Sequence, residues 1–180
     1  MPTVNEFRDR LAQFNKHYLN PLTLSFAGRP GVPWGIIQHI GRRTGNRYTT
    51  PVLVGPTYYA FYIPLPYGQT TDWARNVQEE GGGLVVYGGE AYRVIEPHIV
   101  IASEAAGAFP RWVQSLLAAA GTTNYLRVQR AAPSPEPETV YQRITADYPT
   151  RTGLWIIGAV LLIAVGVGRA LWKLLHPDRD

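Results

Sequence analysis

Three arginines, Arg42, Arg43 and Arg47, crowd one stretch, GRRTGNRYTTP, running from Gly41 to Pro51. Their guanidinium forks, the Thr44 hydroxyl and the backbone N–H groups of a tight turn are the donors that a phosphate needs. Gly45 permits the positive φ that such a turn can require. The same residues also suit a plain hairpin turn with solvated arginines, because Thr-Gly-Asn is good turn chemistry. A second stretch, LPYGQTTDWARN from Leu65 to Asn76, closes a strand and opens a helix. Pro64 and Pro66 free the backbone around Leu65, Tyr67 and Gly68 from a strand ladder, so its carbonyls and N–H groups can serve a ligand. The following helix N-terminus favours anions, and Trp73 offers a flat apolar wall. The plain alternative makes Trp73 a core residue and Asp72 a helix cap.

Those two stretches need a scaffold. WGIIQHI, TPVLV, YYAFYIPL, GLVVY and AYRVIE are short, β-branched or aromatic runs separated by Gly, Pro and Thr. They read as strands of an antiparallel barrel or sandwich. YYAFYI is apolar on both faces, as a central strand should be. A helix is expected after Thr71 or Asp72, stopped by the glycines at 81–83. A second helical patch spans roughly Ser103 to Ala120 with a break at Pro110, and NYLRVQRA reads as a closing strand. Ahead of this domain, Val4, Phe7, Leu11, Phe14 and Tyr18 recur at three- and four-residue steps. They mark an amphipathic helix over 1–20, opened by a Thr3–Glu6 capping box and ended at Asn20-Pro21. The domain itself is placed at 21–130, and a Pro-rich, polar linker at 131–152.

The segment 153–176 carries a different signal. Leu154 to Gly168 contains no charge, and ALWKLL continues the apolar run to Leu175. At about 1.5 Å per residue, 154–175 spans about 33 Å as a helix, close to the thickness of a bilayer core. Trp155 and Trp172 sit near its ends, and Arg169 and Lys173 can snorkel to one boundary. The expectation is a transmembrane anchor. Small residues at Ala164/Gly168 and Gly166/Ala170 have the spacing of a homodimer seam. Lys173 and Arg179 argue for a C-terminus inside, whereas an N-terminus without a secretory pattern argues for a domain inside. One span cannot satisfy both. The second argument is preferred, which places the domain in the cytoplasm; a re-entrant or interfacial helix would satisfy both.

Composition narrows the chemistry. Apolar residues make up 46% and charged ones 17%, which supports a packed core rather than disorder. No cysteine is present, which excludes disulfides, thiol nucleophiles and cysteine-held metals. His17, His39, His98 and His176 are too far apart for ligand spacing, so no metal is expected. The net charge of +4 allows an anionic partner without choosing one. Nucleic acid is not expected, since the basic residues are not interleaved with aromatics in a recognisable module.

GRRTGNRYTTPV and LPYGQTTDWARNV, followed by a Gly-rich break and YRVIEPHIV, together resemble the deazaflavin-dependent nitroreductase family over roughly residues 15–130. The resemblance implies a mainly β fold with flanking helices, a split β-barrel of the FMN-binding type. It also implies coenzyme F-420 as cofactor. Arg42, Arg43, Thr44 and Arg47, around Gly45, match the positions that bind the cofactor's phosphate and acidic tail. Leu65, Pro66, Tyr67 and Gly68 match the segment lining the deazaflavin ring through its backbone. Trp73 matches the tryptophan beside the ring, and Asn76 the helix asparagine. The implied reaction is hydride transfer from reduced F-420 to an electrophilic acceptor: a quinone, an activated alkene or a nitro compound. Tyr67 and Tyr125 are candidate proton donors by position. Nitro-reducing members carry a Ser-Lys-Gly-type stretch where this chain has Pro66-Tyr67-Gly68, so the substrate pocket differs. With an anchor, the acceptor expected is lipophilic. The rival readings are an FMN-binding split-barrel oxidoreductase and a membrane-anchored protein that binds cofactor or lipid without catalysis.

Overall fold

The computed structural model describes residues 23–133. The expected helix over 1–20, the linker beyond Pro133 and the apolar segment 153–176 lie outside the described residues. Among the described residues no helix is long and apolar enough to cross a membrane.

The chain between these limits is mainly β. Strands β1 (Trp34–Ile40), β2 (Arg47–Leu53), β3 (Gly55–Pro56), β4 (Ala60–Pro64), β5 (Gly82–Tyr87), β6 (Glu90–Ile101) and β7 (Asn124–Pro133) form an antiparallel sheet in the order β2-β1-β5-β6-β7-β4-β3. Helix α1 (Asp72–Glu80) separates β4 from β5. Helix α2 (Ala102–Ala105), a 3-10 turn (Ala106–Ala108) and helix α3 (Arg111–Ala119) separate β6 from β7.

The sheet is curled into a half-barrel. Val52 of β2 and Phe61 and Ile63 of β4 share one core cluster. In the ladder, β2 and β4 stand five strand spacings apart, which a flat sheet would render as about 24 Å. Only a sheet bent towards itself brings their side chains together. The concave core takes alternate residues of each strand: Ile37, Val85, Val94, Leu126 and Val128, with Ala74 and Val77 from α1. The intervening residues face outward but are also covered. Ile36, Val86 and Ala91 pack with Leu24 and Ala27. Val100 and Tyr125 pack with Ala105, Phe109 and Val113 from the α2–α3 segment. Burial of both faces explains why β1 reads as nearly continuous apolar sequence.

Four boundaries differ from the sequence reading. Gly81 alone ends α1, as a left-handed C-cap, while Gly82 and Gly83 already belong to β5. A Cβ on Gly82 would stand 2.1 Å from the Val94 carbonyl oxygen, so the missing side chain is what lets β5 lie against β6. Strand β6 does not stop before Pro97. It passes through with a register irregularity between Ile95 and His98, and Glu96 takes a φ of 53°. A bulge is the usual way for a strand to accommodate proline. Only the later part of the YYAFYI run is strand: Tyr58 and Tyr59 are exposed and precede β4, which is mostly buried and lies between β7 and the short edge strand β3. Strand β7 runs on to Pro133, three residues into the expected linker.

Candidate functional site

The β1–β2 connection and the start of α1 meet at one end of the half-barrel. The turn is local in origin. The Gly41 carbonyl accepts from the N–H groups of Thr44 at 3.1 Å and Gly45 at 2.8 Å, and Gly41 N–H donates to the Asn46 carbonyl at 2.7 Å. Gly45 has a φ of 68°, as the turn requires. The Thr44 hydroxyl is engaged within the loop, 3.1 Å from the Tyr48 hydroxyl and accepting from Asn46 N–H. Arg43 and Arg47 are exposed.

Arg42 is different. Its guanidinium donates to the Asp72 carboxylate at 2.8 Å, the Asp72 carbonyl at 3.2 Å and the Asn76 side-chain oxygen at 2.8 Å. Its backbone N–H reaches the same Asn76 oxygen at 3.3 Å. The sequence reading gave Arg42 to a bound phosphate; here it clamps the arginine loop to the first turns of α1. Asn76 is 6% exposed and hands the interaction inward. With its oxygen facing Arg42, its amide N–H must face the ring of His39, 3.2 Å away at Nδ1. Nδ1 therefore accepts, the proton sits on Nε2, and Nε2 donates to the Thr50 hydroxyl at 3.3 Å. Arg42, Asn76, His39 and Thr50 form one directional chain that passes from the loop through buried Asn76 and His39 to half-buried Thr50 on β2.

The charges follow from this packing. The Arg42 hydrogen bond holds the Asp72 carboxyl below the usual carboxylate range; partial burial opposes it, and the charges of Arg42, Arg43 and Arg75 reinforce it. The positive charges of Arg42, Arg43 and Arg75 thus all act on one carboxylate at the N-terminus of α1, and Arg42 alone pairs with it. Burial pushes the His39 ring below its ordinary value, partly offset by Glu80, whose carboxylate accepts from Ile40 N–H at 2.8 Å.

The second motif lies between β4 and α1. Leu65 is buried in the concave core, and its N–H donates to the Asn124 carbonyl at 3.0 Å. Pro66 is exposed, Tyr67 is half-buried, and Gly68 N–H closes a turn onto the Leu65 carbonyl at 2.9 Å. Trp73 is half-buried and packs against the concave core, so it is partly wall and partly core. Thr71 caps α1 without a side-chain hydrogen bond, and its buried hydroxyl has no partner among the described residues. Tyr125 does not join this group. It projects from the opposite face of β7, against Phe109 and Val113, where burial raises its phenol.

Two clefts include no residue of the arginine loop, the Pro66–Gly68 turn or α1. One, of about 250 Å³, is lined by Ala105, Phe109, Thr122 and Tyr125. The other, of about 280 Å³, is lined by Pro33, Val54, Tyr87, Trp112 and Val113. Sequence reasoning missed His39 and Arg75 as members of the arginine site. His39 had a signal: it shares the strand parity of Ile37 and so must face inward. Arg75 had one too: it stands three residues after Asp72 in a helix that the sequence predicts, and residues at that spacing are neighbours on a helix surface.

No protein-family model matches this sequence, and neither does any curated protein. Among solved structures, the chain is similar to a protein titled F420 Reductase, at 11% identity and a TM-score of 0.40, over 61% of this chain and 94% of that one. A likeness at that level does not extend to activity or to site residues.

Proposed function

We propose that this chain is a split-barrel oxidoreductase that binds coenzyme F-420 and delivers a hydride to a lipophilic electrophilic acceptor such as a quinone, an activated alkene or a nitro compound. The observation that carries this reading is the junction of the two motifs. Arg42 joins the loop that carries exposed Arg43 and Arg47 to the first turns of α1, which carries Arg75 and begins shortly after the Pro66–Gly68 turn. The residues fit the group. An anionic tail is matched by surplus guanidinium charge, and a flat ring by the partly exposed Trp73 and a turn whose backbone has left the sheet.

In this reading Arg43, Arg47 and Arg75 bind the phosphate and acidic tail. Arg42 and Asn76 fix the loop that aims them, and Leu65 to Gly68 with Trp73 hold the ring and exclude water. When bound, F-420 supplies the hydride from C5 of its reduced ring. Tyr67, half-buried in the turn, is the proton donor of choice. Membrane attachment through 153–176, a cytoplasmic domain and a homodimer are parts of the same proposal.

A fluorescence titration of F-420 tests it. Arg43→Ala/Arg47→Ala is expected to weaken binding at least tenfold while leaving the fold intact, as each lost charge-assisted contact costs about 1.5–3 kcal/mol. Equal affinity in variant and wild type would sink the loop assignment. FMN copurifying with the protein, seen in its absorbance, would replace F-420 by the flavin.

A further inference from the structure

The other end of the half-barrel holds a cation that the proposed F-420 site does not use. Arg130, near the end of β7, turns inward with Val128 and Leu126. Its guanidinium carbon lies 4.1 Å from the centre of the Phe61 ring and 4.9 Å from that of Tyr92. Among the described residues no carboxylate pairs with it, and its Nε, shut off from solvent, has no hydrogen-bond partner. Arg130 as a whole is half-buried, so it still meets solvent. The neighbouring phenols belong to Tyr92, which donates to Glu90, and Tyr87, on which the Arg130 charge also acts. A register irregularity between Tyr92 and Val94 sits opposite Arg130 on β6. Bulges of this kind re-aim side chains and are frequent beside sites.

Tyr87 connects this cation to apolar surface. It closes β5 at the end opposite the arginine loop, and its ring meets Phe61 edge-on at 6.1 Å. It also lines the 280 Å³ cleft whose other walls include Pro33, Val54, Trp112 and Val113. No charged side chain lines that cleft, and Trp112 on its rim is 56% exposed. Among the described residues, a guanidinium with no carboxylate partner shares the Phe61 ring with Tyr87, and Tyr87 in turn walls an uncharged, apolar cleft; the two features suit the two halves of an amphipathic anion. We infer that this end of the half-barrel binds a small carboxylate with an apolar tail, its head at Arg130 and its tail between Tyr87 and Trp112.

Octanoate, octan-1-ol and acetate, titrated into the full chain and followed by amide chemical shifts, separate the two halves. Octanoate is expected to give saturable shifts at Tyr87, Val113 and Arg130. Octan-1-ol should bind at least tenfold more weakly and acetate not at all, because head and tail are both needed. Arg130→Met keeps the stem on Phe61 and should reduce octanoate binding to the level of the alcohol. Trp112→Glu, at an exposed position, places a negative charge on the cleft rim and should also weaken octanoate at least tenfold. It keeps the test valid if the Arg130 variant fails to fold. Octan-1-ol binding as tightly as octanoate, Trp112→Glu binding like wild type, or no saturable shift with octanoate would overturn the inference. F-420 titrated into Trp112→Glu is expected to bind as in wild type, so this test and that of the arginine loop fail separately.

Discussion

Arg42 meets Asn76 twice, through its backbone N–H at 3.3 Å and its guanidinium at 2.8 Å, both on the same amide oxygen. That double contact decides which way the amide points and, through it, which nitrogen of His39 carries the proton. A surface loop and a buried tautomer are therefore linked by one side chain.

Removing that side chain should be costly. Asn76→Ala leaves Arg42 N–H and the His39 ring nitrogen without their partner in a mostly buried setting. A loss of about 1–3 kcal/mol is expected in urea unfolding. Asn76→Asp tests direction: it keeps acceptors for Arg42 but replaces the donor facing Nδ1 by a carboxylate, so the His39 proton is expected to move to Nδ1, a change of tautomer readable in the ring-nitrogen chemical shifts.

The same chain predicts a pH dependence. His39 binds its proton less readily folded than unfolded. As pH falls through the ordinary histidine value of about 6.5, the unfolded chain takes up the proton first, and stability declines. A protonated Nδ1 also becomes a donor facing the Asn76 donor. Midpoints of urea unfolding should fall steadily from pH 7 to pH 5, and His39→Gln should flatten that slope. Asp72 works in another window: its lowered carboxyl favours the fold above the ordinary carboxylate value, a small effect lost only below about pH 4.

Gly82→Ala tests the β5–β6 contact. The added carbon meets backbone at 2.1 Å, and no side chain can rotate to relieve it. Destabilisation of about 1–3 kcal/mol is expected, with loss of amide exchange protection centred on Val94 and Ile95. Gly45→Ala, where a Cβ has open space, suffers only from its positive φ and should cost less.

Salt separates holding from steering. If Arg43 and Arg47 act as exposed charges, F-420 affinity should weaken between 50 and 500 mM salt, and the double alanine variant should lose most of that dependence. Arg42→Ala should instead lower the unfolding midpoint, because its contacts are to the protein.

Much of this architecture was legible in the residues. The strand runs around Ile36–Ile37, Val85–Val86 and Leu126–Val128, and the helix between Thr71 and Gly81, follow from periodicity and turn chemistry. The limits of those elements were less so. Proline at 97 signals a strand end, but a bulge absorbs it; the glycines at 82 and 83 signal a helix stop, but close packing needs them in a strand. The site shows the same division. The arginine loop and the turn at Pro66–Gly68 announced themselves by composition. That Arg42 is occupied while Arg43 and Arg47 are exposed depends on α1 landing beside the loop, a tertiary fact with no local signature. Tyr125 lies on the α2–α3 face rather than beside the turn, a placement that depends on strand parity in β7. Arg130 escaped notice because nothing beside it in sequence announces the rings of Phe61 and Tyr92.

Tyr125 and Leu126 are neighbours in β7, yet one belongs to the α2–α3 side of the sheet and the other to its concave core. Strand alternation makes this an insertion-sensitive joint: a single residue added or lost ahead of Tyr125 would exchange the two compartments' occupants, sending a phenol into the dry core and leucine into the α2–α3 cleft. Length changes between Asn124 and Arg130 are therefore excluded, because each residue there is addressed to one face.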